Sequence, residues 1–199
     1  MEMILDLLPF QYLHSISLEQ LLKEEKLFYQ TLHSYWQEHN YLTIKWWVLV
    51  TLSILSPFVW FIFVDKKRIT EITAFGMFFG IIAIFLDSIG SNAMIWTYPV
   101  RLTPYLYPQM YPYDVGIIII PFMMVYQRTG KKFIKFFFST GLLALLIAFV
   151  AETTMERFDM YMEITWKNIY SFPIYWIIGL FCWSILKLFK KIERKHNKL

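Results

Sequence analysis

The sequence predicts an all-α polytopic integral membrane protein, with about five transmembrane helices behind an N-terminal amphipathic helix. Three observations predict it. Hydrophobic residues fill 57% of the 199 positions and aromatic residues 20%, with a mean hydropathy of +0.45. Soluble domains are roughly 45–50% apolar. Charged residues fall to 17% and are clumped between apolar runs, several of them near the ~20 residues that cross a bilayer core. Finally, the basic residues sit in short clusters beside those runs, where topology is decided.

Residues 1–42 read as an interfacial segment and 43–199 as one five-helix transmembrane domain. Met1 to Phe10 carries acids and no Lys or Arg, so it lacks the basic n-region of a signal peptide and insertion is expected to depend on the membrane helices. Ser17-Leu18-Glu19-Gln20 is a helix start, a Ser cap with Gln three residues on. Leu18, Leu21, Leu22, Phe28, Leu32, Tyr35 and Trp36 recur at roughly helical spacing, so an amphipathic helix is expected on the bilayer or on the other helices.

The first span is expected at about 43–64, with Pro57 inside it and Asp65-Lys66-Lys67-Arg68 beyond it. The second is expected at about 69–96. Helical spacing sets Thr73, Gly76, Gly80, Ala83, Asp87 and Gly90/Ser91 on one stripe. Small residues let helices approach closely, so the stripe is expected to face protein, and the Gly76/Gly80 part of it to suit a membrane-protein partner. Phe75, Phe78, Phe79 and Phe85 are expected largely to face lipid or fill gaps. The loop 97–113, with four Pro and five Tyr, is expected to be rigid and interfacial.

The third span, about 112–127, is 16 residues long and reaches ~24 Å, short for a bilayer core. Charge favours a crossing all the same. It places Lys66, Lys67 and Arg68 on the same side as Arg128, Lys131, Lys132 and Lys135. The fourth span is expected at about 133–156, where Thr140, Ala144, Ala148, Glu152 and Glu156 repeat every four residues. The fifth is expected at about 172–190, opened by Ser171-Phe172-Pro173 and followed by a basic tail. These ends give a multi-pass protein of the cell membrane with its N-terminus outside and its C-terminus in the cytoplasm.

Chemistry is expected at the outer ends. Asp87 lies 18 residues past Ile69 and Glu152 lies 19 past Phe133, so both carboxylates stand ~27–28 Å above the cytoplasmic face. Asp114 opens the third span at that level. Asp87, Asp114, Glu152 and Glu156 therefore form a cluster, with Ser91 and Asn92 as hydrogen-bonding neighbours and Arg101 and Arg157 as counter-charges. A structural or interaction role, as an accessory protein, leads among the readings. A small transporter or a cation- or proton-binding protein is the alternative, because intramembrane carboxylates are costly unless they serve a purpose. No nucleophile–base pair, phosphate loop or dinucleotide motif is visible, so an enzyme is not expected. His14, His33, His39 and His196 lack ligand spacing, so neither a metal nor a cofactor is expected. Cys182 reads as a buried hydrophobe. The aromatics read as bilayer belt and packing residues. The partner is the lipid bilayer; nucleic acid is not expected, and oligomeric state is not legible.

Leu86-Asp87-Ser88-Ile89-Gly90-Ser91-Asn92, then Trp96-Thr97-Tyr98-Pro99, Tyr113-Asp114 and Trp166-Lys167-Asn168-Ile169-Tyr170-Ser171-Phe172-Pro173 resemble motifs of a family of small multi-pass membrane proteins of unknown function from spore-forming Gram-positive bacteria. The resemblance covers roughly residue 69 to the C-terminus. It implies location and topology, and it implies that Asp87, Asn92, Trp96, Tyr98, Pro99, Asp114, Trp166, Tyr170 and Pro173 form one outer-face structure. It implies no reaction.

Overall fold

The structure, a computed structural model, describes residues 16–106 and 111–196. The expectations for Met1 to Phe10, His14 and the end of the basic tail lie outside the described residues. Among these residues six helices follow one another. They are α1 (Leu18–His39), α2 (Ile44–Phe63), α3 (Ile69–Asn92), α4 (113–129), α5 (Phe133–Arg157) and α6 (Asn168–His196). Four of them, α2, α3, α5 and α6, are long and apolar enough to cross a membrane. Among the described residues the fold is all-α apart from one pair of two-residue strands, β1 (Trp96–Thr97) and β2 (Met162–Glu163), which run antiparallel with Trp96 opposite Glu163.

Helix α1 starts as its capping pattern requires, with the Gln20 amide donating to the Ser17 hydroxyl at 3.1 Å. Of its residues only Leu32 is buried. Its far end does a different job. Trp36 donates its indole N–H to the Arg101 carbonyl at 3.0 Å, and buried Asn40 donates to the Pro99 carbonyl while accepting the Arg101 amide. Trp46, at the start of α2, donates to the Leu102 carbonyl at 2.9 Å. The Pro-rich loop is thus held by side chains 56 to 65 residues away, which satisfy carbonyls that no regular ladder reaches.

Pro57 sits inside α2 and cannot donate to the Ser53 carbonyl. That carbonyl instead accepts the Tyr111 hydroxyl. A backbone group freed in a membrane helix needs such a partner, because lipid offers none.

Helix α4 is 17 residues long: Tyr113–Ile119 is π-helical and Ile120–Thr129 is α-helical. At one end, Asp114 lies beside the end of α3. At the other, Gln127 accepts the Asp65 amide at 2.9 Å and donates to the Phe63 carbonyl, while Arg68 donates to the Gln127 carbonyl. Short as it is, α4 therefore runs the height of the bundle.

The stripe on α3 is buried as its periodicity requires: Gly76, Gly80, Ala83, Asp87, Gly90 and Ser91 all lie inside. The Gly76/Gly80 face, expected to suit a partner, is filled from within the chain. A Cβ on Gly76 would lie 2.4 Å from Met123 Sδ, and one on Gly80 3.0 Å from Ile119 Cδ1. Phe75 and Phe79 depart from the expectation of lipid exposure, since both are fully buried, whereas Phe85 is 64% exposed. Helix α3 packs against α4 and α6 at once, so its buried arc is wider than one stripe. Phe75 stacks on Tyr126 at 4.3 Å, and Phe136 meets Phe75 edge-on at 6.0 Å. Such contacts carry the packing, because apolar surface gains little from leaving lipid.

Helix α6 begins at Asn168, earlier than Ser171-Phe172-Pro173 suggested, and takes Pro173 into its body. The Tyr170 amide bonds the Lys167 carbonyl and extends the first turn backwards. Near the other end of the bundle, Glu71 accepts from Arg68 at 3.0 Å, pairs with Lys190 and accepts the Tyr126 hydroxyl at 2.6 Å. One carboxylate so ties α3, α4 and α6 together.

Candidate functional site

The site lies at the end of the bundle opposite Glu71. Four helix ends build it: the last turns of α3 and α5 and the first turns of α4 and α6. They enclose a cavity of about 220 Å³, roofed by β1, the loop after it and the connector between α5 and α6. Asp87, Asp114 and Glu152 all line it. Their exposures are 6%, 3% and 7%, so none of the three is a surface charge.

Asp87 is oriented by the loop that follows its own helix. Trp96 Nε1 and Tyr98 Oη both donate to Asp87 Oδ1 at 2.8 Å. Trp96 can reach it because residue 90 is glycine: a Cβ there would stand 2.0 Å from the indole ring. Burial, and then the negative charge of Asp87, hold the Tyr98 phenol well above its ordinary pKa, so it keeps its proton and remains a donor. Tyr98 is fixed in turn by Tyr113, whose ring lies 4.8 Å away and whose hydroxyl donates to the Val100 carbonyl at 3.0 Å.

Glu152 ends a six-residue π-helical segment, Ile147–Glu152. Such segments recur at functional sites because they turn side chains out of α register. Tyr175 of α6 donates to Glu152 Oε1 at 2.6 Å, and Ser171, which also lines the cavity, accepts from Trp166 Nε1 at 2.9 Å. Asp114 lies within the π-helical start of α4.

One oxygen on each carboxylate has no hydrogen-bond partner: Asp87 Oδ2, Asp114 Oδ2 and Glu152 Oε2. Buried acceptors are nearly always satisfied, so three orphans on one cavity wall call for an explanation.

The other residues expected at the cluster lie elsewhere. Asn92 is exposed and donates to the Ser88 carbonyl at 2.7 Å. Arg157 is exposed, Glu156 is half-buried, and neither lines the cavity. Arg101 is buried but turns its Nε to the Tyr98 carbonyl at 3.0 Å, off the cavity wall. The expected pairing of the carboxylates with Arg101 and Arg157 is therefore replaced by pairing with Trp and Tyr. Composition and spacing missed Trp96, Tyr98, Tyr175 and Ser171 as site residues; the resemblance alone grouped Trp96 and Tyr98 with Asp87. A signal did exist for two of them, since Trp96 and Tyr98 follow Asp87 by 9 and 11 residues and each carries a polar handle on a ring.

No protein-family model, curated protein or solved structure matches this chain.

Proposed function

We propose that this protein is a multi-pass protein of the cell membrane that binds a cation in the cavity lined by Asp87, Asp114 and Glu152, as a small transporter or cation-binding protein. One observation carries the reading. Three carboxylates, each at most 7% exposed, face one cavity, and each keeps an oxygen without a partner. Carboxylates used only to fasten helices would have every oxygen engaged. A buried ionised carboxylate without a counter-charge costs several kcal/mol, and a bound cation offsets that cost.

The orientation belongs to the same proposal, with the cavity at the outer face, the N-terminus outside and the C-terminus in the cytoplasm. Its support is charge. Arg68, Arg128, Lys131, Lys132 and Lys190 gather at the end of the bundle away from the cavity, and basic loops favour the cytoplasmic side. Affiliation with the small membrane proteins of spore-forming Gram-positive bacteria is proposed with it.

The test is thermal unfolding of the purified chain in lipid nanodiscs against a panel of sodium, potassium and organic ammonium chlorides. At least one cation is expected to raise the midpoint of the wild type and not that of Asp114→Asn. A flat response across the panel refutes cation binding. Uptake of the active cation into proteoliposomes then separates a transporter from a binding protein.

A second reading, an accessory protein packed against another membrane protein, is favoured by α2. Of its twenty residues only Leu49 is buried. That reading predicts no cation response at all.

A further inference from the structure

We infer that the cation is a small organic ammonium ion with one flat apolar body, its charged end at Asp87 and Asp114 and its body against the rings of the cavity wall. This rests on the cation-binding reading above and narrows it to a ligand class.

Size comes first. An apolar cavity of ~150 Å³ accepts benzene. The 220 Å³ here leaves room for one ring, a short chain and an ammonium group.

The wall decides between an organic and an inorganic cation. Ala83, Ile118, Ile147 and Ile178 line the cavity beside the aromatic rings. Hard metal cations demand about six or more oxygens in a shell, more than Asp87 and Asp114 supply; among the described residues no three His, Cys, Asp or Glu gather around one ion, and Glu152 stands apart on the same cavity wall. A ligand with an apolar body uses the whole surface; a bare ion would leave most of it facing nothing.

Hydrogen-bonding polarity decides the sign. Trp96 and Tyr98 direct their donors at Asp87 Oδ1, and Tyr175 directs its own at Glu152 Oε1. The carboxylates still present Oδ2, Oδ2 and Oε2, which are acceptors only. An ammonium group brings N–H donors and positive charge to match them. A carboxylate or phosphate ligand meets like charge.

The rings supply the rest. Trp96 and Trp166 meet edge-on at 5.1 Å, and Tyr98 lies 5.6 Å from Tyr161. Aromatic faces around a desolvated ammonium ion are how proteins recognise such cations.

The probe is 2-phenylethylammonium chloride, titrated calorimetrically at neutral pH into the full chain in nanodiscs, with empty nanodiscs as the blank. Saturable one-to-one binding is expected, with 2-phenylethanol, the neutral counterpart, weaker by roughly tenfold or more. Asp114→Asn should weaken the ammonium ion by a similar factor and leave the alcohol unchanged. Ala151→Phe fills the cavity, keeps all three carboxylates and should abolish binding of both. Should Asp114→Asn fail to fold, the two ligands on the wild type and Ala151→Phe still decide the matter. Binding of sodium or potassium without the ammonium ion overturns this inference and preserves the cation-binding reading. Equal affinity for the alcohol overturns it as well. The absence of binding by any cation overturns both.

Discussion

Tyr175 donates its hydroxyl to Glu152 Oε1 at 2.6 Å, across 23 residues of chain, and so joins the end of α5 to the start of α6 at the cavity wall. The contact holds the carboxylate in place and leaves its second oxygen free.

Tyr175→Phe should therefore cost about 1–3 kcal/mol, because it strands a buried acceptor. Thermal unfolding in nanodiscs measures the loss. Phe at this position with an unchanged midpoint would mean that Glu152 is held by something else.

The two glycines on α3 should respond differently to alanine. At Gly90 the new Cβ would stand 2.0 Å from the Trp96 ring, and rigid indole cannot give way without leaving Asp87. At Gly76 it meets the end of the flexible Met123 side chain at 2.4 Å. Gly90→Ala should cost about 1–3 kcal/mol and shift tryptophan fluorescence. Gly76→Ala should cost less than that and leave the emission unchanged. Equal effects at the two positions would argue against a fixed indole.

The phenol of Tyr98 gives the protein an alkaline limb. Its pKa is raised in the folded chain by burial and by Asp87, so the folded state keeps a proton that the unfolded state loses above about pH 10. Stability contributed in this way is complete below that pH and falls as pH rises beyond it. Tyr98→Phe should flatten the decline, measured as unfolding midpoint against pH. A decline that is the same in both proteins would assign it to other groups.

Topology can be mapped with single cysteines in a Cys182→Ser background. Positions 66, 67, 131 and 132 should be labelled from the cytoplasmic side. Positions 103, 105 and 167 should be labelled from outside. Finding 66 and 131 on opposite sides would mean that α4 turns back within the membrane.

The depth and facing of the carboxylates could be read from the sequence, because both follow from helix geometry. Asp87 and Glu152 each close a stripe of small residues at the same distance from a basic flank, and the structure places both on one cavity. Asp114 joined them through its position at the start of α4. What periodicity cannot give is the path of the loop. Arg101 was expected among the carboxylates, yet Asn40 and Trp36 fix its backbone from about 60 residues away and turn the guanidinium elsewhere. Glu156 sits one α-helical turn beyond Glu152, is half-buried and does not line the cavity. Trp96, Tyr98 and Tyr175 looked like belt residues because that is what aromatics at a bilayer edge usually are. Only their N–H and O–H groups distinguish them, and these found carboxylates.

The central claim is that the free carboxylate oxygens at the cavity hold a cation. Cation-induced infrared difference spectroscopy of the chain in nanodiscs tests it most directly, because a carboxyl group that takes up a cation changes its stretching bands. The cation that stabilises the protein should produce carboxyl difference bands that are lost from Asp87→Asn or Asp114→Asn and kept in Glu156→Gln. A spectrum without carboxyl difference bands for every cation in the panel would contradict the claim.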